Sequence, residues 1–184
     1  TFLRAYSVTP LTLPSHTSLL SGPYPPYHGV RDNGAFVAPD SLQTLGELFR
    51  NAGYRTGAFV SSFVLDRRFG VAKGFDTYLD EFEVPRSRMI ALASIQRPAS
   101  DVVDAALEWS RQDPSAPFFL WVHLFDAHTP YEPPPEFLDR YPGRPYVGEI
   151  AYADTQLGRL ISWLDSSGLR KDTVVIVAGD HGES

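Results

Sequence analysis

Apolar positions along this chain follow two rhythms, and the two alternate. Short continuous runs occupy residues 54 to 60, 117 to 125 and 173 to 178, and each reads as a buried strand. Stripes at three- and four-residue spacing lie between them. Leu42, Leu45, Leu48 and Phe49 fall on one face of a helix that Asp40 or Ser41 would cap and Gly53 would end. Val102, Val103, Ala106, Leu107 and Trp109 predict a helix over 99–112. Ile150, Tyr152, Ala153, Leu157, Leu160, Ile161 and Leu164 predict a third over 147–166, stopped by Gly168. Nearer the start, Pro14 suits the first position of a short helix ended by Gly22, with Thr12 or Leu13 in the cap region. Residues 1 to 8 are partly β-prone, through Phe2, Leu3, Tyr6 and Val8. Residues 23–40 are rich in turn formers, 66–97 are irregular and Arg-rich, and 129–145 form a Pro-rich loop. Helices alternating with apolar strands predict an α/β fold, a mostly parallel sheet flanked by helices. No internal repeat or domain boundary interrupts residues 1–184.

Composition narrows the function more than the fold. The net charge is -6, and no run of Lys or Arg suggests a nucleic-acid polymer as partner. Cysteine is absent, which excludes disulfides, thiolate metal sites and a cysteine nucleophile. No segment approaches the roughly 18 apolar residues of a membrane span. The chain opens without an initiator Met, and an apolar strand precedes its last residue by only a few positions. Both features predict a fragment, incomplete at each end.

Three polar clusters follow strand-like segments: Thr12 to His16, Asp126-Ala127-His128, and Asp180-His181-Gly182-Glu183. Sites in open α/β sheets gather beyond the carboxyl ends of the strands, so a shared site is expected there. Asp180 and His181 offer oxygen and nitrogen to a divalent ion, or form a turn with an Asx cap. Thr12 stands at a helix mouth that favours an anion, where a metal could activate its hydroxyl, or it is simply an N-cap. His128 could donate a proton to a leaving group or serve only to shape a loop. His123, inside a strand, reads as a core histidine, and His28 before Gly29 as a turn stabiliser. Arg67, Arg68, Arg86 and Arg88 could meet an anion but read better as solvated surface.

Taken together these stretches resemble the sulfatases of the alkaline phosphatase superfamily. The likeness runs from Thr12-Leu13-Pro14-Ser15-His16 and Ser21-Gly22 through Tyr24-Pro25 and His28-Gly29. It continues at Leu45 to Gly57, Gly74-Phe75-Asp76, Pro117 to Tyr131, Tyr152, Asp154, and Val175 to Glu183. Thr12 occupies the position that sulfatases oxidise to formylglycine, so no formylglycine is expected. His16 replaces the supporting Arg, and Ser61 and Ser62 stand where a sulfatase lysine would be. Thr-Leu-Pro-Ser-His is closer to the nucleotide pyrophosphatase and phosphodiesterase branch. That resemblance implies a metal-dependent hydrolase of phosphate or sulfate esters with Thr12 as a metal-held nucleophile. It implies Asp180 and His181 as metal ligands, Ser15 and His16 on the substrate side, and His128 beside the substrate. The implied cofactor is one or more divalent ions, zinc, calcium or manganese, and the implied partner a small anionic ester. The family places further ligands on a strand upstream of residue 1 and more site residues after His181, in a periplasmic or extracellular parent. Two alternatives share the motif: a phosphoethanolamine-type transferase, and a non-catalytic ligand-binding relative.

Overall fold

The computed structural model describes residues 4–82 and 95–182. Three parallel strands carry it: β1 (Arg55–Val60), β2 (Thr77–Leu79) and β3 (Phe118–His123), in the order β2-β1-β3. β1 pairs with β3 from Arg55 opposite Phe118 to Val60 opposite His123, so both strands end level at their carboxyl ends. Among the described residues six α-helices surround them: α1 (Thr12–Ser21), α2 (Pro25–His28), α3 (Leu45–Asn51), α4 (Ala99–Gln112), α5 (Pro135–Arg140) and α6 (Pro145–Ser166).

The strand alternation sorts the core into two layers. Ala58 and Val60, with Phe119 and Trp121, face a cluster containing Leu13, Leu20, Phe63, Leu65 and Phe75. Phe59, with Phe118, Leu120 and Val122, faces Val102, Val103, Ala106, Trp109 and Trp163. Helices therefore cover both faces, as a parallel sheet requires. The helix over 99–112 and its buried residues match the sequence pattern. Among the described residues no helix is long and apolar enough to cross a membrane.

Several expectations are corrected. The helix foreseen from residue 41 begins only at Leu45, because Thr44 and Glu47 form a reciprocal capping box. Thr44 Oγ1 accepts from the Glu47 N–H and donates to the Lys73 carbonyl at 2.7 Å, while Leu45 and Leu48 are exposed. The close packing there is of backbone on backbone. Gly74 has φ +89°, and a Cβ on it would sit 2.0 Å from the Glu47 nitrogen. The irregular stretch after residue 66 contains β2, and the Pro-rich loop contains α5, with a proline in its first turn. On α6 the buried face runs through Glu149, Tyr152, Gln156, Leu160, Trp163 and Leu164, whereas Ile150 is exposed. Residues 4–8 form no strand. Residues 173–178 pair with no described strand; Val174, Ile176 and Val177 face outward and Val175 packs on the core. Phe2, Leu3, Arg86, Arg88 and Glu183 lie outside the described residues.

Candidate functional site

Helix α1 starts two residues earlier than its proline suggested. Leu11, in extended conformation, is the N-cap and makes no side-chain cap bond. Thr12 is thus the first helical residue, and its hydroxyl is not used as a cap. The helix mouth is closed from elsewhere: Asn33 Oδ1 accepts the Leu13 N–H at 2.9 Å. Gly22 ends the helix with φ +91° and its N–H on the Ser18 carbonyl.

The Thr12 hydroxyl instead meets His181, Oγ1 to Nε2, at 3.2 Å. Asp180 Oδ2 lies 3.4 Å from the same Nε2 and 3.5 Å from His16 Nδ1. Ser15 ties the two segments together by donating its hydroxyl to the Asp180 carbonyl at 2.7 Å. The structure therefore gathers Thr12, Ser15, His16, Asp180 and His181, residues separated by up to 169 positions in sequence. This juxtaposition needs no strand pairing by residues 173–178.

Hydrogen-bond partners fix the ring states. His181 Nδ1 faces the Gly182 carbonyl at 2.8 Å and so carries the proton. Its Nε2 faces both the Thr12 hydroxyl and the Asp180 carboxylate. His16 is 5% exposed, and its Nδ1–H donates to the Thr12 carbonyl at 2.9 Å. Burial lowers the His16 pKa, with Asp180 opposing, so its ring is held neutral. Behind it His123 accepts the Ser61 N–H on Nδ1, and burial pushes its pKa well down, as expected for a core histidine. His28 is also buried; it accepts the Val30 N–H and engages Ser18 Oγ at 3.0 Å, bracing the turn after α1 against that helix.

His128 stands apart from this group. Its ring stacks on Phe125 at 4.2 Å, and its Nδ1–H donates to the Thr129 carbonyl. Among the described residues no hydrogen bond joins it to Thr12 or Asp180. A ladder of rings does connect the two regions, His16 to His123 at 4.8 Å, His123 to Phe125 at 5.9 Å, then His128. Two acids meet at the turn that carries His128, the half-buried Asp126 and the buried Glu149. Asp126 has one oxygen with no hydrogen-bond partner, and burial raises its pKa to about 6. Glu149 reaches in from α6 and accepts the N–H groups of Ala127 and Glu132. Sequence reading places Asp126 in a candidate cluster but gives no role to Asn33 or Glu149. For Glu149 a signal existed, since it shares a helical face with Tyr152, Gln156, Leu160 and Trp163. Arg67 and Arg68 are ion-paired with Asp80 and Asp66, so neither is an unpaired cation.

Among the described residues no group of three or more His, Cys, Asp or Glu is arranged to hold a metal ion. The chemistry of Thr12, Asp180 and His181 nevertheless fits a contribution to such a site. A hydroxyl and a carboxylate both stand beside one imidazole nitrogen, Thr12 Oγ1 at 3.2 Å and Asp180 Oδ2 at 3.4 Å from His181 Nε2, and these are the oxygen and nitrogen donors that a divalent ion takes.

The chain has relatives in sequence and in fold. The chain is 27% identical to an ulvan-active sulfatase of Formosa agariphila over 99% of its own length and 43% of that protein. It spans about half the length of the curated relatives it matches. It superposes on Ps i-CgsB, solved with k-i-k-neocarrahexaose, with TM-score 0.72 and 19% identity, covering 89% of this chain and 46% of that one. A phosphonate monoester hydrolase of Agrobacterium radiobacter gives TM-score 0.69 at 19% identity, over 91% and 52% of the two chains. At such identities the superpositions speak for the fold alone. The family model for sulfatases matches residues 1–184, the whole of the sequence, and the chain therefore belongs to the sulfatase family.

Proposed function

We propose that the protein hydrolyses small anionic phosphate or sulfate esters through Thr12, and that residues 1–184 are part of one sulfatase-like catalytic domain, lacking its first strand and C-terminal part. The observation that carries this reading is the position of the Thr12 hydroxyl. It is helical rather than capping, 2% exposed, and set against His181 Nε2 with Asp180 alongside. An N-cap threonine would spend its oxygen on its own helix; this one is aimed away from it.

In the proposed reaction Thr12 Oγ1 forms a bond to the phosphorus or sulfur of the ester as the bond to the alcohol oxygen breaks. The Thr12 hydroxyl gives up its proton to solvent as it attacks, and the departing alcohol takes up a proton, for which His128 is the candidate donor: with Nδ1–H held by the Thr129 carbonyl, it would give the proton of Nε2 from its doubly protonated form. Water then releases the transferred group from Thr12. Asp180 and His181 would hold a divalent ion, zinc, calcium or manganese, which would lower the pKa of the Thr12 hydroxyl and offset charge on the transferring group. Ser15 holds the Asp180 main chain, and its oxygen keeps lone pairs for a further contact. His16 supports the first turn of α1 from below through the Thr12 carbonyl. A role for Ser15 or His16 toward substrate therefore acts from the inner side of the helix mouth. Formylglycine chemistry is not expected, because threonine at position 12 cannot yield that aldehyde.

The test is a panel of aryl phosphodiester, phosphomonoester and sulfate substrates on the complete protein, with Thr12→Ala beside it. Loss of more than about 100-fold in kcat/KM on substitution is expected. A rate near that of the wild type would remove Thr12 from the nucleophile role. Inactivity on all three esters would move the reading to a phosphoethanolamine-type transferase or a ligand-binding relative.

A further inference from the structure

Glu149 is 6% exposed, yet it sits on the core-facing side of α6 with no cation among its hydrogen-bond partners. Each of its oxygens is committed to one main-chain amide: Oε2 accepts from Ala127 N–H at 2.8 Å and Oε1 from Glu132 N–H at 2.8 Å. The two amides lie on opposite sides of the loop that contains His128, so one carboxylate closes that loop like a staple. Helix α6 comes close enough to do this because residue 148 is glycine; a Cβ there would lie 3.0 Å from the Pro133 ring.

The loop backbone needs holding. Ala127 has φ +76°, the left-handed region that residues with a Cβ seldom adopt, and its amide is one of the two that Glu149 grips. His128 follows directly. Its ring direction is set by Phe125 stacked on it and by the Thr129 carbonyl, which accepts the Nδ1–H hydrogen bond. Both of these partners belong to the same turn. The charged groups around the staple are Asp126 and Asp101 toward α4, Glu132 across the loop, and His128 itself.

We propose that Glu149 is a positioning residue for His128, acting by fixing the Ala127–Glu132 backbone from which His128 projects. This rests on the reading of His128 as the group that assists the leaving alcohol. Displacing a proton donor by about 1 Å costs on the order of 100-fold in rate, with ground-state binding less affected.

The experiment is Glu149→Gln in the complete protein, with two ester substrates that differ in leaving group, an activated aryl ester and an alkyl ester. Glutamine keeps the shape but offers one acceptor oxygen for two amides. The expected result is a fall in kcat of about 10- to 100-fold for the alkyl ester, less than about 3-fold for the aryl ester, and little change in KM. In a His128→Ala background Glu149→Gln should cause no further loss. Adding Ala127→Gly should restore part of the activity, since glycine adopts the loop conformation without help. Equal losses on both esters, or losses that multiply with His128→Ala, would overturn the proposal. Amide hydrogen exchange separates the two layers of the argument. If His128→Ala shows no leaving-group dependence while Glu149→Gln speeds exchange at Ala127 and Glu132, the reading of His128 has failed and the proposal falls with it. Unchanged exchange at both amides would overturn the staple itself. Should Glu149→Gln not fold, the Ala127→Gly double variant carries the same comparison.

Discussion

Replacing Asp126 with Asn should stabilise the protein at neutral pH and leave it unchanged in acid. The carboxyl is removed from water beside Glu149 and Asp101, and one of its oxygens has no partner. Burial is the largest cause of its raised pKa, which moves from 3.8 to about 6. A native pKa above the unfolded one means the folded state holds the proton more tightly. The associated stability is present below about pH 4 and is lost as pH rises through about 6. A shift of this size corresponds to about 3 kcal/mol at most, and residual solvent access reduces the working figure to about 2 kcal/mol. Asparagine keeps an oxygen to accept the Ala99 N–H and carries no charge at any pH. Urea unfolding followed by the fluorescence of Trp109, Trp121 and Trp163 would measure both proteins from about pH 4 to about pH 7.5. The stability difference should grow by about 2 kcal/mol in favour of the variant across that range. A difference that stays flat within about 0.5 kcal/mol would show that Asp126 is not forced into a dry environment, and the reasoning would be wrong.

Three further outcomes follow from particular contacts. Ser15→Ala removes the hydroxyl bond to the Asp180 carbonyl, so affinity for zinc or manganese, read by calorimetry, should fall by about 10- to 100-fold with Thr12 intact; unchanged affinity would separate that bond from the proposed metal site. Thr44→Ala deletes both the capping acceptor of α3 and the donor to Lys73, and should cost about 1–2 kcal/mol in denaturant unfolding. Gly74→Ala should be far worse, at least about 3 kcal/mol or failure to fold, because the new methyl meets the backbone of α3 at a left-handed position. A soluble Gly74→Ala variant of normal stability would mean that the approach of these two segments is looser than described.

The parts of this molecule legible in its sequence are those governed by local periodicity. The α4 stripe and the β1 and β3 runs are continuous in sequence, and each was placed within a residue or two. The start of α3 was misplaced because two plausible caps precede the one that forms a reciprocal pair with Glu47. The buried face of α6 is read only in part, because a buried acid and a buried amide, Glu149 and Gln156, occupy positions where a pattern search looks for apolar residues. Strand β2 has three residues, too few to set a rhythm. At the site, Thr12, Ser15, His16, Asp180 and His181 are nameable from the family likeness, and the structure brings them together. Asn33 acts on a main-chain amide 20 positions away, which leaves no local mark. Glu149 leaves only the weak signal of an acid on the buried face of α6.

The outward-facing Val174, Ile176 and Val177 carry a consequence for handling the protein. Thr173 to Ala178 is a six-residue run without charge, proline or glycine, rich in β-branched side chains, with three of its valine and isoleucine residues between 70% and 86% exposed. Such a run, paired with no strand among the described residues, is a template for a second copy of itself. Residues 1–184 expressed alone should therefore self-associate in a concentration-dependent way, and thioflavin binding should rise on standing. A single lysine in place of Ile176, on the outward face and away from the Val175 contact, should suppress both without touching the hydrolytic machinery.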